Sequence, residues 1–323
     1  MPQWARDRLF TSYISYLTAQ GRDLSMSETE SRLPADHRTQ TGSRTPLEAL
    51  PGVPAGNTAT GWLKIIALAF MLVDHMGVVI FPGIPEFRII GRIAFPIYCW
   101  CMVVGFCYTR SVPGYLLRIL LVGLLSQPLY AFVMNHLGTA ESTVRTIFAD
   151  GALFRDGNLF TVLGAVFSKP NIFLTLFLAL SALWGIRAKK CFSQIWAPTA
   201  AMVLAVVLNA DYSWKGVLFI LLLYAGRSSR PAIAAVMIAF FLYWGTAYGV
   251  TQSLFGIPLK LNELPSWLSV LVTPWLRMET FGLLSMPLIL IRFPRNLRMP
   301  RWVGYALYPV HLLIILLLKT IIL

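Results

Sequence analysis

The sequence predicts an all-α fold, a polytopic bundle of transmembrane helices. Hydrophobic residues make up 57% of the 323 residues and charged residues only 13%, whereas soluble domains carry about 25% charged residues. The apolar residues also fall in long runs, such as 203–208, 217–223 and 312–318. These runs lie within segments close to the roughly 20 residues that cross the hydrocarbon core of a bilayer. The lipid bilayer is therefore the first partner that the sequence predicts.

Residues 1–58 differ from the rest of the chain. They are polar and rich in Ser, Thr, Arg and Pro, a composition typical of segments that cannot bury enough apolar surface to fold. We expect residues 1–58 to form a mostly disordered cytoplasmic tail and residues 59–323 to form the membrane domain.

The membrane domain divides into about nine spans, each bounded by Pro, Gly or charged residues. The predicted spans are residues 62–82, 89–109, 115–137, 171–187, 194–210, 214–226, 231–250, 267–291 and 302–322. No internal repeat relates these segments convincingly, in contrast to the inverted repeats of many transporters.

The basic residues indicate the orientation of the bundle. Loops after even-numbered spans carry no acid, and their basic residues are Arg110, Arg187, Lys189, Lys190, Arg227, Arg230, Arg292, Arg295, Arg298 and Arg301. Loops after odd-numbered spans balance basic against acidic residues. Because cytoplasmic loops are enriched in Lys and Arg, the even-numbered loops and the N-terminus are expected in the cytoplasm.

Composition also argues against several classes of site. The net charge of +13 is explained by this loop asymmetry, and no basic face interleaved with aromatic residues indicates nucleic-acid binding. The four cysteines, Cys99, Cys101, Cys107 and Cys191, have neither the spacing of a zinc site nor that of a secreted disulfide framework. The sequence therefore predicts no metal site and no nucleic-acid partner.

Ionisable residues interrupt the apolar spans and are the strongest chemical signal. A charged side chain at the bilayer centre costs about 2.5–3.5 kcal/mol on insertion scales, so such residues usually face the bundle interior and mark function. Asp74 and His75 lie in the first predicted span and Arg92 in the second, with Arg88 one turn earlier. A buried neutral His can accept a proton from an attacking amine or hydroxyl. Since neighbouring helical residues point about 100° apart, Asp74 is expected to pair with Arg92 or Arg88 and not with His75.

Each of these residues also has a structural interpretation. A buried His can simply join two helices, and an Asp–Arg pair can simply fix helix register. For Arg277 and Glu279, two residues apart in the eighth predicted span, the structural interpretation is favoured because they would face different directions. His136, at the end of the third span, is expected to be solvated.

Two adjacent motifs resemble the TraX family of pilin acetylases. Residues 62–77, WLKIIALAFMLVDHMG, are similar to that family's opening helix, which begins near a lysine and ends in Asp-His. Residues 88–97, RIIGRIAFPI, are similar to its Gly-Arg-x-Ala-Phe-Pro signature. Further similar segments follow in order at 115–118, 126–128, 171–175, 210–216 and 305–312. Residues 211–216 depart from the expected pattern, because Ser213, Trp214 and Lys215 separate the Tyr from the Gly.

The resemblance implies a multi-pass acetyltransferase of the bacterial inner membrane that transfers acetyl from acetyl-CoA to the N-terminal amine of a conjugative pilin subunit. It implies His75 as the catalytic base, with Asp74 and Arg92 as catalytic neighbours. Substrate-binding candidates are Arg88, Asn171, Asp211, Tyr212, Tyr308 and His311. Arg110 and Arg118 are candidates for the phosphates of acetyl-CoA.

Two other functions stay open at this point. The acceptor of the acetyl group could be an envelope sugar or another small molecule. In a different class, the protein could be a transporter or a non-enzymatic pilus assembly factor, in which Asp74, His75 and Arg92 form a proton relay or a static ion pair.

Overall fold

A computed structural model describes residues 53–134, 136–155, 157–188, 190–297 and 300–322. The predicted tail lies outside the described residues except for residues 53–58. The described part is mostly helical, as predicted. Its α-helices are α1 (Thr60–Val79), α2 (Pro85–Gly91), α3 (Ala94–Tyr108), α4 (Val112–Val133), α5 (Glu141–Ala149), α6 (Asn158–Val166), α7 (Ile172–Arg187), α8 (Cys191–Val207), α9 (Ser213–Gly226), α10 (Arg230–Gly245), α11 (Ser266–Val272), α12 (Met286–Leu290) and α13 (Arg301–Ile322).

Four segments have the length and composition to cross a membrane: residues 60–79, 85–108, 112–133 and 303–322. Four of the other predicted spans correspond to the shorter apolar helices α7 to α10, which have 14 to 17 residues. The protein is therefore an apolar, helical membrane protein, but the predicted count of nine spans is not confirmed.

The eighth predicted span is not a continuous helix. Between α10 and α13 the chain forms a two-stranded antiparallel hairpin of β1 (Ser253–Leu254) and β2 (Ile257–Pro258), a short α11, and 3-10 helices at Thr273–Leu276 and Met278–Ser285 before α12. Pro274 and Pro287 lack the backbone N–H that a continuous helix requires. Arg277 has extended backbone dihedrals (φ −83°, ψ 145°) and separates the two 3-10 helices.

The long connection at residues 138–170 is also helical. Its two helices, α5 and α6, bury Val144, Ile147, Val162 and Val166 against the end of α4 at Ala131. The same face of the protein carries His136, in the turn that follows α4.

Helix α3 occupies the centre of the bundle. It contacts α1, α7 and α9, and Ile97, Trp100 and Val103 on its surface are completely buried. α13 lies outside this centre and packs against α1 and α4. Of the helices in the described residues, the last is thereby brought beside the first.

A break between α2 and α3 places Arg92 in the interior. The chain is non-helical at Arg92 and Ile93. Pro96, one turn later, has no N–H to donate to the Arg92 carbonyl and so favours a kink at this point. The Gly-Arg-x-Ala-Phe-Pro motif therefore encodes a broken helix with its arginine at the break.

Candidate active site

Asp74, Arg88, Arg92 and Glu279 form one buried network of ion pairs. Arg92 donates through Nη2 to Asp74 Oδ1 at 2.8 Å and through Nη1 to Glu279 Oε1 at 2.9 Å. Arg88 Nη1 donates to Asp74 Oδ2 at 3.3 Å. Two carboxylates and two guanidinium groups balance each other, which satisfies the requirement that buried charges be paired. Asp74 was expected to pair with Arg92 or Arg88, and in the structure it pairs with both.

Glu279 belongs to this network, and an ion pair that holds helices in place is compatible with the structural role that the sequence favours for it. The side chain is 6% exposed and its partner Arg92 is 10% exposed. The expectation assumed a regular helix through residues 277–279. Instead, Glu279 lies in the 3-10 helix at Met278–Ser285 and reaches the break between α2 and α3. Arg277 points elsewhere and donates to the Gly245 carbonyl at 3.3 Å.

Gly91 allows the network to form. A Cβ atom at this position would overlap the side chain of Asp74. With hydrogen in its place, α2 can approach α1 closely enough for Arg88 and Arg92, on either side of Gly91, to reach the same carboxylate. The glycine and arginine of the motif thus have linked physical roles.

His75 lies outside the ion-pair network and contacts His311 of α13. His75 Nδ1 and His311 Nε2 are 3.0 Å apart, and their rings stack with centroids 5.1 Å apart. Only one of the two facing nitrogens can carry the shared hydrogen. When His75 donates through Nδ1, its Nε2 holds a lone pair and can act as a base.

A small cavity lies between His75 of the histidine pair and Asp74 of the ion-pair network. Its volume of about 20 Å³ is enough for about one water molecule. The lining residues are Met71, Asp74, His75, Gly91, Ala94, Phe95, Tyr98, Tyr130, Ile172, Asp211, Tyr212 and Tyr308. Five of the sequence-predicted residues therefore face one space: Asp74, His75, Asp211, Tyr212 and Tyr308.

Asp211 and Tyr212 enter the cavity from the turn between α8 and α9. The Tyr212 ring stacks on Phe95 of α3, with centroids 3.8 Å apart. Burial raises the pKa of Asp211 above its ordinary value, because removing a carboxylate from water disfavours its charged form. The departure from the family pattern at Ser213–Lys215 does not remove either side chain from the site.

A second cavity of about 140 Å³ lies beside the first, toward the N-terminal ends of α1 and α13. The two cavities share Met71, Tyr98, Ile172 and Tyr308 in their walls. At its far end the second cavity is lined by Lys64, Tyr115 and Tyr305. Sequence reasoning did not identify this cavity, because its walls are mostly apolar residues that look like ordinary core.

Of the two arginines proposed to bind acetyl-CoA, only Arg118 contacts residues that line the second cavity. Arg118 lies over the ring of Tyr115, 5.9 Å from its centroid, and its Nε donates to the Tyr305 hydroxyl at 3.4 Å. Both tyrosines line the second cavity. Arg110 is exposed in the turn before α4 and lines neither cavity.

Asn171 lies outside the small cavity and caps α7. Its Oδ1 accepts a hydrogen bond from the Phe173 N–H at 3.0 Å, and its Nδ2 donates to the Gly123 carbonyl at 2.9 Å. These contacts use the side chain to join α7 to α4, the ordinary role of an N-cap residue. Its geometry is that of a structural residue.

The sequence did not indicate that Tyr130 and His136 contact each other beside the site. Tyr130, near the end of α4, lines the small cavity and lies 3.3 Å from His136 Nε2 through its hydroxyl. His136 was expected to be solvated but is half-buried. Burial and, secondarily, the charge of Lys169 lower the pKa of His136 to about 4, so its ring is neutral at pH 7.

The TraX protein family model matches residues 59–154 and 157–319. This chain belongs to the TraX family. It is also 26% identical over 174 residues to the "Probable fimbrial assembly protein FimC, serogroup H1" of Dichelobacter nodosus. That alignment covers 53% of this chain and 63% of the relative, less than two thirds of its length. The search of solved structures found no match.

Within the TraX family match lie all the residues of the ion-pair network and the histidine pair. Among the described residues, no three His, Cys, Asp or Glu side chains are grouped so as to hold a metal ion. The chemistry available to this TraX protein at the site is that of imidazoles, carboxylates, guanidinium groups and tyrosine hydroxyls.

Proposed function

We propose that this TraX protein is an inner-membrane acetyltransferase that transfers acetyl from acetyl-CoA to the N-terminal amine of a pilin subunit. The observation that carries the proposal is His75, a hydrogen-bonded imidazole that faces a polar cavity between apolar helices. The name of the fimbrial assembly relative supports a pilus-related acceptor. In the proposed orientation the N-terminus is cytoplasmic.

His75 is the base in this account. An amine attacks an acyl carbon only after it has lost its proton, and a positioned imidazole typically accelerates such a transfer by about 10²–10⁴-fold. His311 orients the His75 ring by hydrogen bonding to Nδ1, which leaves Nε2 for the acceptor. His311 thus orients the base, as a third group does where a nucleophile is activated by an adjacent histidine.

The ion-pair network positions groups and does not transfer protons. All three guanidinium nitrogens of Arg92 donate hydrogen bonds, because Nε also donates to the Arg88 carbonyl at 3.3 Å. Arg88 is different, because its side chain is 35% exposed and makes a single ion pair. We assign to Arg88, which pairs with the cavity-lining Asp74, the task of meeting an acceptor, and to Arg92 that of holding α2 and Glu279 in place.

Acetyl-CoA is the donor substrate and supplies an activated thioester. The second cavity suits its narrow acyl arm, because it is mostly apolar and leads from Lys64 to the walls it shares with the small cavity. Arg118 and Lys64 supply positive charge at the far end, where the phosphates of the donor would lie. The loop arginines on that side, including Arg110, are explained by topology alone.

The decisive experiment is mass spectrometry of the cognate pilin subunit from cells that carry the wild-type protein or His75→Ala. The proposal predicts a pilin that is heavier by one acetyl group with the wild type and unmodified with the variant. Leu313→Ala, on the lipid-facing side of α13 and 48% exposed, is the control and should leave the pilin acetylated. An acetylated pilin with His75→Ala would contradict the assigned base.

A non-enzymatic assembly factor is the second candidate, and the name of the fimbrial assembly relative favours it. In that case the ion pairs would lock helix register and the pilin subunit would be held without modification. Purified protein that neither binds nor hydrolyses acetyl-CoA, while pilus assembly still requires it, would decide for this candidate.

A further inference from the structure

We propose that Tyr130 and His136 form a proton exit path from the His75 cavity to the end of the bundle that carries α5 and α6. The inference rests on the proposed acetyl transfer and adds two residues to it. Neither residue touches the acceptor in this account, so both are positioning and relay residues and not the base itself.

The path consists of a gap between His75 and Tyr130 within the cavity and a direct contact between Tyr130 and His136. Tyr130 is 3% exposed and lines the same small cavity as His75, with ring centroids 6.5 Å apart. One water molecule in that cavity would bridge His75 to the Tyr130 hydroxyl. The hydroxyl lies 3.3 Å from His136 Nε2, and His136 is half-buried in the turn after α4.

The chemistry requires such an exit. An N-terminal amine is largely protonated near pH 7. When it is acetylated, the nitrogen–carbon bond forms and the carbon–sulfur bond of the thioester breaks. The amine gives up two protons in total. One protonates the departing thiolate, and the other must reach bulk water. Between apolar helices, a chain of hydrogen-bonding groups that leads to the surface provides a path for that proton.

The protonation state of His136 suits the last step. Its pKa of about 4, lowered by burial and by Lys169, makes the ring a neutral acceptor for the Tyr130 hydroxyl. A proton that arrives at Nε2 is given up quickly, since the charged ring is unfavourable in that environment. The other titratable groups facing Tyr130 are Asp211, Tyr308, Tyr212 and Asp74, which line the cavity with His75.

The alternative is a purely structural bond that closes the end of α4. A structural role predicts that His136→Gln, whose amide can still accept from Tyr130, behaves like the wild type. A relay predicts the opposite, because an amide cannot carry a proton. If His136 relays a proton, a small diffusible base should restore the rate of acetyl transfer that His136→Gln loses.

The test is the rate of acetyl transfer from acetyl-CoA to purified pilin, measured in dilute buffer and with added imidazole. We expect His136→Gln and Tyr130→Phe to slow transfer about tenfold or more in dilute buffer, and imidazole to restore His136→Gln. Arg145→Gln changes an exposed side chain of α5, at the same end of the bundle. Its rate of acetyl transfer should match that of the wild type in both buffers. The Michaelis constant for acetyl-CoA should be unchanged in all variants.

Each result has one meaning. If the wild type transfers acetyl and His136→Gln is as fast in dilute buffer, or slow without rescue by imidazole, the exit path is overturned while the proposed function stands. If the wild type transfers no acetyl group, the proposed function is overturned and the exit path with it.

Discussion

His75 Nδ1 lies 3.0 Å from His311 Nε2, although 236 positions separate the two residues in the chain. The contact joins the first long helix of the membrane domain to the last. Any change that loosens α13 from α1 therefore also frees the His75 ring. The catalytic account depends on this contact because an imidazole in the wrong orientation presents the wrong nitrogen.

His311→Ala should slow acetyl transfer about 100-fold, the usual consequence of misplacing a catalytic group. His311→Gln should recover part of the rate, because its amide can still accept a hydrogen bond from His75 Nδ1. Steady-state rates for the two variants provide the measurement. Equal rates for His311→Ala and the wild type would show that His311 does not orient His75.

Gly91→Ala should destabilise the fold, because the new methyl group overlaps the Asp74 side chain. Overpacking of this kind costs about 1–3 kcal/mol, which a lower thermal midpoint in detergent would report. Gly164→Ala in α6 is the matched control, since nothing lies within 4 Å of its new Cβ and Ala favours a helix. Equal midpoints for the two variants would contradict the close approach of α1 and α2.

Arg92→Gln should be more damaging than the loss of an exposed ion pair. It leaves two carboxylates, 12% and 6% exposed, without their shared partner, and breaking a buried pair costs about 3–5 kcal/mol. Glu263→Gln removes the Lys260 pair, in which both side chains are 66% exposed, and should cost less than about 1 kcal/mol. Thermal unfolding of both variants in detergent compares the two losses. Similar shifts would mean that the network is solvated.

Arg118→Gln should weaken acetyl-CoA binding, whereas Arg110→Gln should change it little. The reason is that Arg118 contacts two tyrosines of the second cavity and Arg110 contacts neither cavity. Binding of acetyl-CoA to purified variants, followed by calorimetry, would separate them. A larger loss for Arg110→Gln would place the donor elsewhere on the protein.

Sequence reasoning reached the site through residues that violate the apolar pattern. Asp74, Arg88 and Arg92 are recognisable because unpaired charges are costly in lipid, and opposite charges on adjacent helices predict their own pairing. Tyr212 and Tyr308 were predicted as site residues only through the motif resemblance, since a tyrosine in a membrane protein does not by itself indicate a functional site.

The remaining contacts could not be predicted from spacing. The His75–His311 pair depends on how α13 packs against α1, a tertiary contact with no local signature. The contact of Glu279 with Arg92 was also not predicted, because the prolines at 274 and 287 break the predicted eighth span into short helices, which changes the direction of its side chain. The capping of α7 by Asn171, a residue predicted to bind substrate, was not foreseen, because both roles use the same residue type.

The most direct test of the central claim is transfer of radiolabelled acetyl from acetyl-CoA to purified pilin by the wild-type protein and by His75→Asn in lipid nanodiscs. Asparagine retains a hydrogen-bonding side chain but cannot act as a base. The account predicts label on the pilin N-terminus with the wild type and a loss of at least about 100-fold with His75→Asn, at an unchanged thermal midpoint. Undiminished labelling by a folded His75→Asn protein would contradict it.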